Sequence, residues 1–465
     1  MSASRRRFGS YSAALVVLAL VSGCVFAGTN SPTSPLCPGA AAPTATAGLT
    51  GSEGRDLVIV GRIVTMDEPA EAEALLIEAG LVTCVGTRDE VLAVAGEEVR
   101  VVDIGANVAY PGFIDAHAHW IGDRDYYGLD SAEEAMDAAI SRGWTSISEQ
   151  WVNPEKLDEL TALAADDALA LRVDAYLALN FGDEFFGDWY TDHERGPIGD
   201  RLRVQGLKIH LDDGAGEVIN WGPGDLIDTI GRAGAAGWQV SVHAVSTEAQ
   251  DLVLDAFEAA IGPNGPNPLH HRIEHAIEVS DDQLARMVAM DLVTIIHPDG
   301  VAGDWVQWND YMGQGAGYPA DQIGWLGRWR DFVDAGLHVA AASDAPWFFS
   351  DFVLANDVGR PVDHIAGGMD GRGREFPETP KWVLDQLLSA EQGLHAATIG
   401  AAYALGDESR RGHLAPGTLG DVTILSGDVT DATADEIRAM TVAATIVDGV
   451  IEYCADPEIC SLPDE

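Results

Sequence analysis

Hydrophobic and polar positions follow two rhythms along this chain. Near the start, Asp56–Thr65 and the stretch from Ala74 to Gly86 read as short paired apolar runs, followed by Val101–Ile104. The same rhythm returns at Gly420–Ser426 and from Val442 to Tyr453. Such runs predict strands, and strands at both chain ends predict a small β-sandwich built from residues 53–110 and 412–453. The middle, residues 111–411, behaves differently. Apolar runs occur at Val108–Ile114, Thr145–Ile147, Leu171–Leu179, Val204–Ile209, Gln239–Val242, Arg272–Ile273, Leu292–Ile296 and Leu337–Ala342. Between most of them lie helical patterns such as Thr247–Ala260 and Asp281–Met290. Eight strands separated by helices predict an α/β fold, a (β/α)8 TIM barrel, whose chemistry sits at the C-terminal strand ends.

The first residues share neither rhythm. Ser4-Arg5-Arg6-Arg7-Phe8 precedes an apolar run from Tyr11 to Val21, and Val21-Ser22-Gly23-Cys24 closes it. A basic start, a short apolar run and small residues before a break predict a signal peptide over residues 1–23. The apolar run is too short to cross a bilayer as a stable helix. The S-R-R-x-F pattern resembles a twin-arginine export signal, and V-S-G-C resembles a bacterial lipobox, which implies cleavage before Cys24 and its acylation. The expected location is therefore outside the cytoplasm, lipid-anchored to the outer face of the cell membrane or periplasmic. Membrane contact is expected only through Cys24. Residues 24–52 are rich in Thr, Ser, Pro, Ala and Gly, a composition that predicts a flexible tether. Residues 454–465 read as a C-terminal tail. Cys454 and Cys460 lie close enough for a disulfide in an oxidising compartment, and the spacing alone leaves that open. No Cys-x-x-Cys pair occurs, which argues against a thiolate zinc site.

Charge narrows the partners. The 465-residue chain carries a formal charge of −47, which excludes a surface built for nucleic acid and leaves small-molecule substrates as the expected ligands. An oligomer is left open. Lysine is confined to Lys156, Lys208 and Lys381, so a lysine at a special position carries more information than usual.

The candidate chemistry begins at Pro111-Gly-Phe-Ile-Asp-Ala-His117-Ala-His119. Residues two apart in a strand share a face, so both imidazoles can point at one ion. Lys208 ends the fourth predicted strand, His243 the fifth, His275 the sixth and Asp344 the eighth. From His117 to Lys208 is 91 residues, from Lys208 to His243 35, from His243 to His275 32 and from His275 to Asp344 69. A βαβ unit needs about 30 residues, so these intervals place all six side chains on one rim. Glu149 after the second strand and His297 after the seventh stand near the same rim, as substrate contacts or supports for the ligands. Glu274 is expected to be buried structure, its side chain alternating away from that of His275. Aromatic loops are expected to wall the pocket: Phe185, Phe186, Trp189 and Tyr190; Trp305, Trp308 and Tyr311; Trp347, Phe348 and Phe349.

The motifs PGFIDAHAH, GLKIHLDDG, SVHAVSTEA, HRIEHA, ASDAPW and RGHLAPGTLGDVTIL together resemble the amidohydrolase superfamily, in particular the branch containing N-substituted formamide deformylases. The resemblance runs from Asp56 to Tyr453. It implies a hydrolase acting on carbon–nitrogen bonds other than peptide bonds, with two divalent metals, zinc above all. His117, His119 and Asp344 would hold one metal and His243 and His275 the other, bridged by Lys208 carboxylated by CO2. It implies attack by a metal-bridging hydroxide on an amide, N-formyl or cyclic amide carbon, with Asp344 as general base and then acid. Against the family pattern, Val245-Ser246-Thr247 replaces the usual Gly-Asp, His210 and Asp212 are extra, and a long insertion between strands one and four is missing. These departures leave the substrate open. The competing readings are a mononuclear-metal deaminase, a lactone or phosphoester hydrolase and, weakest, a non-catalytic binding lipoprotein. The deaminase needs a Glu where Ser246 stands.

Overall fold

A computed structural model of the protein describes residues 37, 56–213, 218–298, 323–346, 359–372 and 381–460. Eight parallel strands follow one another in sequence and in space: Phe113–Ala118, Trp144–Val152, Arg172–Ala178, Leu202–His210, Gln239–Ala244, Arg272–His275, Val293–Ile296 and His338–Ala341. Helices such as Pro223–Ala235 and Thr247–Ile261 connect them, and their apolar faces pack on the strands. The expected (β/α)8 barrel is present. Its first and last strands are tied at the C-terminal end, where the Asp344 amide donates to the His117 carbonyl (2.9 Å) and the His119 amide to that of Ala345 (2.8 Å).

Both chain ends contribute to a second sheet, as the patterning predicts. Its seven strands form one continuous sheet in the order Val450–Cys454, Val442–Val447, Val422–Leu425, Arg100–Pro111, Leu57–Val64, Glu71–Glu78, Leu81–Gly86. The predicted strand Val108–Ile114 divides here. Val108–Pro111 pairs with Val422–Leu425, and the barrel strand starts at Phe113. Gly112 is the pivot, because a β-carbon there would lie 2.2 Å from Thr145 Oγ1 and 2.9 Å from Asp421 Cβ. Only glycine lets the chain pass between the sheets at that distance.

Two covalent links appear at the termini. The predicted tail is structured up to Cys460: Pro457–Cys460 forms a helical turn, Ile459 is buried in the sheet's core, and Cys454 pairs with Cys460. Within the predicted flexible tether, Cys37 is covalently joined to Cys84 of the strand Leu81–Gly86. Apolar cover for that strand draws Cys37 against a core cluster with Cys84 and Val91. Cys24 and the rest of the leader and tether lie outside the described residues.

Candidate functional site

Side chains from the C-terminal ends of the strands converge on Asp344. Its backbone is left-handed (φ 52), an unfavourable setting for a residue with a β-carbon, of the kind that concentrates at functional sites. Asp344 Oδ1 lies 3.1 Å from His117 Nε2 and 3.4 Å from His119 Nε2, and Oδ2 lies 3.8 Å from His275 Nδ1. His117, His119 and Asp344 therefore offer three ligand atoms to one point, and His275, His297 and Asp344 offer a second set of three.

The far sides of the first two imidazoles are held by carboxylates. His117 Nδ1 is 2.5 Å from Glu274 Oε2, and His119 Nδ1 is 3.4 Å from Asp123 Oδ2. Asp123 is in turn bonded by Lys156 Nζ at 2.7 Å. The Glu274 hydrogen bond favours the His117 tautomer with its proton on Nδ1, leaving the Nε2 lone pair facing Asp344, while Asp123 faces His119 at ion-pair distance only; carboxylate–histidine pairs of the first type orient metal ligands. Burial, then Lys208 and the neighbouring imidazoles, holds His117 protonation well below the usual histidine range, and it remains neutral. Glu274 is buried as expected, but it does not turn away from the site. It accepts from Ser241 Oγ (2.7 Å), pairs with Arg272 Nε (2.6 Å) and supports His117. Strict alternation fails because His275 (φ 74) and Ala276 (φ 44) are left-handed, which lets two consecutive side chains reach the same interior.

His297 is closer to the centre than the sequence indicates. Its Nδ1 donates to the Ala342 carbonyl (2.9 Å), and its Nε2 lies 3.0 Å from His275 Nδ1. His243 stands beside them, its ring 4.4 Å from that of His275, while its Nε2 faces Asp212 Oδ1 at 3.3 Å. Lys208 is fully buried, and its Nζ has no hydrogen-bond partner among the described residues. Burial pushes its pKa down to about 8, against the pull of Glu274 and Asp344. An ammonium left without a partner in such a site is costly, whereas a metal-bound derivative of the amine would be satisfied there. The donor set fits divalent metal: clustered imidazoles, one of them oriented by Glu274, a carboxylate between them, and an orphaned buried amine.

The remaining candidates separate. Glu149 is buried and accepts from the amides of Ile121 (3.2 Å) and Gly122 (2.6 Å), so it clasps the loop after His119; burial raises its pKa to about 8 despite those amides. His210 lies beside His243, with ring centroids 4.6 Å apart. Ser246 caps the helix Thr247–Ile261 by accepting from the Ala249 amide. Trp189 and Tyr190 pack into the protein, the first donating to the Ala178 carbonyl and the second against Trp238. Phe185 is exposed against Trp221. Trp305, Trp308, Tyr311, Trp347, Phe348 and Phe349 lie outside the described residues. Trp151 is absent from the sequence-based candidates, yet its ring is 4.6 Å from that of His119 and 5.5 Å from Lys208 Nζ. Its position in the strand that carries Glu149 was the available signal. Asp123, four residues after His119, was the comparable signal for the carboxylate facing His119.

Known proteins with similar sequences and folds place these features in context. The amidohydrolase family matches residues 127–453. The chain is 25% identical over 260 residues to putative amidohydrolase YtcJ of Bacillus subtilis (strain 168), covering 55% of this chain and 43% of that protein. It is 28% identical over 232 residues to an N-substituted formamide deformylase of Arthrobacter pascens, covering 49% and 39%. The matched region thus spans about two fifths of the length of each of these relatives. An uncharacterized metal-dependent hydrolase from Pyrococcus horikoshii OT3 shares the fold, with a TM-score of 0.66 at 18% identity, covering 82% of this chain and 99% of that one.

Proposed function

Because the chain belongs to the amidohydrolase family, we propose that it is a metal-dependent hydrolase cleaving an amide-type carbon–nitrogen bond in a small molecule. The observation that carries this reading is the convergence of His117 and His119 Nε2 on Asp344, with a carboxylate behind each ring. His117, His119 and Asp344 would hold one divalent ion, most simply zinc given the imidazole donors. His275 with His297 or His243 would hold a second. Lys208 Nζ, adding to CO2 with loss of a proton, would form a carbamate able to complete the ligand set.

Bound metal would supply Lewis acidity at the scissile carbonyl and lower the pKa of water to near neutral. The protein's own contribution is proton transfer and orientation. Water oxygen adds to the carbonyl carbon, and Asp344 takes its proton at a carboxylate oxygen. The C–N bond breaks as Asp344 returns that proton to the departing nitrogen, giving an acid and an amine. Glu274 and Asp123 keep His117 and His119 in register throughout. The deaminase alternative is disfavoured because Ser246 is committed to capping its helix.

Elemental analysis of the purified protein tests the reading. Close to two divalent ions per chain are expected, falling sharply in Lys208→Ala. No bound metal after metal-supplemented expression removes the proposal.

We also propose export and anchoring through Cys24. Four of the five cysteines form the pairs Cys37–Cys84 and Cys454–Cys460, which leaves Cys24 no cysteine in the chain to pair with and favours an oxidising compartment. Cys24→Ala is expected to move the protein from the membrane fraction to the soluble one. A wild type that is already soluble and unacylated refutes the anchor.

A further inference from the structure

A strip of rings beside the candidate metal centre has no part in the chemistry above. Trp151, left-handed at φ 53, ends the second barrel strand. Its ring centroid is 4.6 Å from that of His119, 4.9 Å from His210 and 4.8 Å from Phe181. Exposure rises along this strip. His119 is fully buried, Trp151 is half-buried and Phe181 is 42% exposed. The rings therefore lead from the metal ligands to solvent.

His210 gives the strip a polar end of defined character. The Gly182 amide donates to His210 Nδ1 at 2.9 Å, so in the neutral ring the proton resides on Nε2. Because Nδ1 accepts from that amide, the ring presents Nε2 as its donor. Asn180 fixes its backbone, accepting from the His210 amide (2.9 Å) and donating to the His210 carbonyl (2.8 Å). Among the described residues, Nε2 has no hydrogen-bond partner. One pre-positioned N–H beside two aromatic rings is a recognition surface for a planar group with an oxygen acceptor.

We propose that Trp151, Phe181 and His210 form the substrate subsite, selecting amides with an aryl or similarly planar substituent and donating from His210 Nε2 to the amide oxygen. This rests on the hydrolase reading and deepens it. Trp151 and Phe181 then set preference between substituents, and His210 acts on every amide alike.

Acetanilide and N-cyclohexylacetamide separate these roles, since they share an acetamide and differ in the planarity of the ring. Binding to the metal-free protein is measured by calorimetry, and KM and kcat on the metal-loaded protein, with metal content checked for each variant. The wild type should favour acetanilide by about threefold to tenfold in both Kd and KM. Phe181→Leu, at an exposed position that tolerates change, and Trp151→Leu should raise the acetanilide KM toward the cyclohexyl value. His210→Leu should weaken both probes by about tenfold, and His210→Gln, which keeps an N–H near the Nε2 position, should restore them. Equal affinity of the wild type for both probes, or full preference retained in Phe181→Leu, overturns the subsite. Preferential binding with no turnover of either probe refutes the hydrolase reading and upholds the subsite; turnover without preference refutes the subsite alone.

Discussion

The two ends of the barrel treat buried charge in opposite ways. Where the strands begin, every charged group named here has a partner of opposite sign. Arg172 bonds both oxygens of Asp421 (2.6 and 3.0 Å) and also reaches Asp448, to which Arg201 bonds at 3.0 Å. Arg411 and Arg203 both donate to Asp174, at 2.8 and 2.7 Å. The Arg172 and Arg201 pairs weld the barrel to the small sheet, since Asp421 and Asp448 flank its strands. Where the strands end, like groups face one another: four imidazoles surround one carboxylate, and Lys208 Nζ is left without a hydrogen bond among the described residues. Burial moves carboxylates apart accordingly. It raises Glu149, which accepts mainly from backbone amides, whereas the arginines outweigh it at Asp174 and Asp448 and hold both below the usual range. Paired charge ties the barrel to the small sheet, and Lys208 Nζ, without a hydrogen bond among the described residues, fits a site that a metal would complete.

Substitutions at each end should sharpen that contrast. Asp344→Asn is expected to lower turnover by about 10²–10⁴ while leaving the unfolding midpoint near wild type. Steady-state kinetics beside thermal unfolding decide this; near-normal turnover moves the base to another residue. Arg172→Ala should do the reverse. Removing one partner of a buried ion pair costs about 3–5 kcal/mol. Denaturant unfolding should show that loss with kcat of the folded fraction unchanged, and a kcat deficit would break the division between the ends.

Smaller effects follow for supporting residues. Glu274→Gln should weaken metal binding by about tenfold to a hundredfold, measured by competition with a chelator, because His117 loses its carboxylate. Unaltered affinity would make Glu274 a packing residue only. The pH dependence of stability should also differ between the ends. Glu149, raised to about 8, keeps its proton in the folded state above the range where it is lost in the unfolded chain. Its contribution therefore falls as pH rises from about 4.5 toward about 8, by at most about 1.4 kcal/mol per unit, and Glu149→Gln should remove that slope. Asp174 and Asp448 are depressed, so their contribution is present above about 3.9 and is lost as pH falls below it. Denaturation midpoints across pH, for wild type and Glu149→Gln, read both trends. Identical profiles would remove Glu149 from this account.

Much of this site was legible as spacing. Side-chain direction in a strand is local, and a βαβ unit has a near-constant length, so His117, His119, Lys208, His243, His275 and Asp344 could be assigned to one rim from their numbers alone. The alternation of apolar runs was enough for the barrel and for a second sheet drawn from both ends. What remained hidden depended on contacts between distant segments. The Cys37–Cys84 pair, the carboxylates behind His117 and His119, the approach of His297 to His275 and the place of Trp151 join residues whose separation in sequence carries no information about their distance. Left-handed backbone at Trp151, His275, Ala276 and Asp344 then redirected side chains that strand alternation would have sent elsewhere. Local periodicity determines which rim a residue reaches; only closure of the barrel, with Asp344 and Ala345 bonded to the first strand, determines what it meets there.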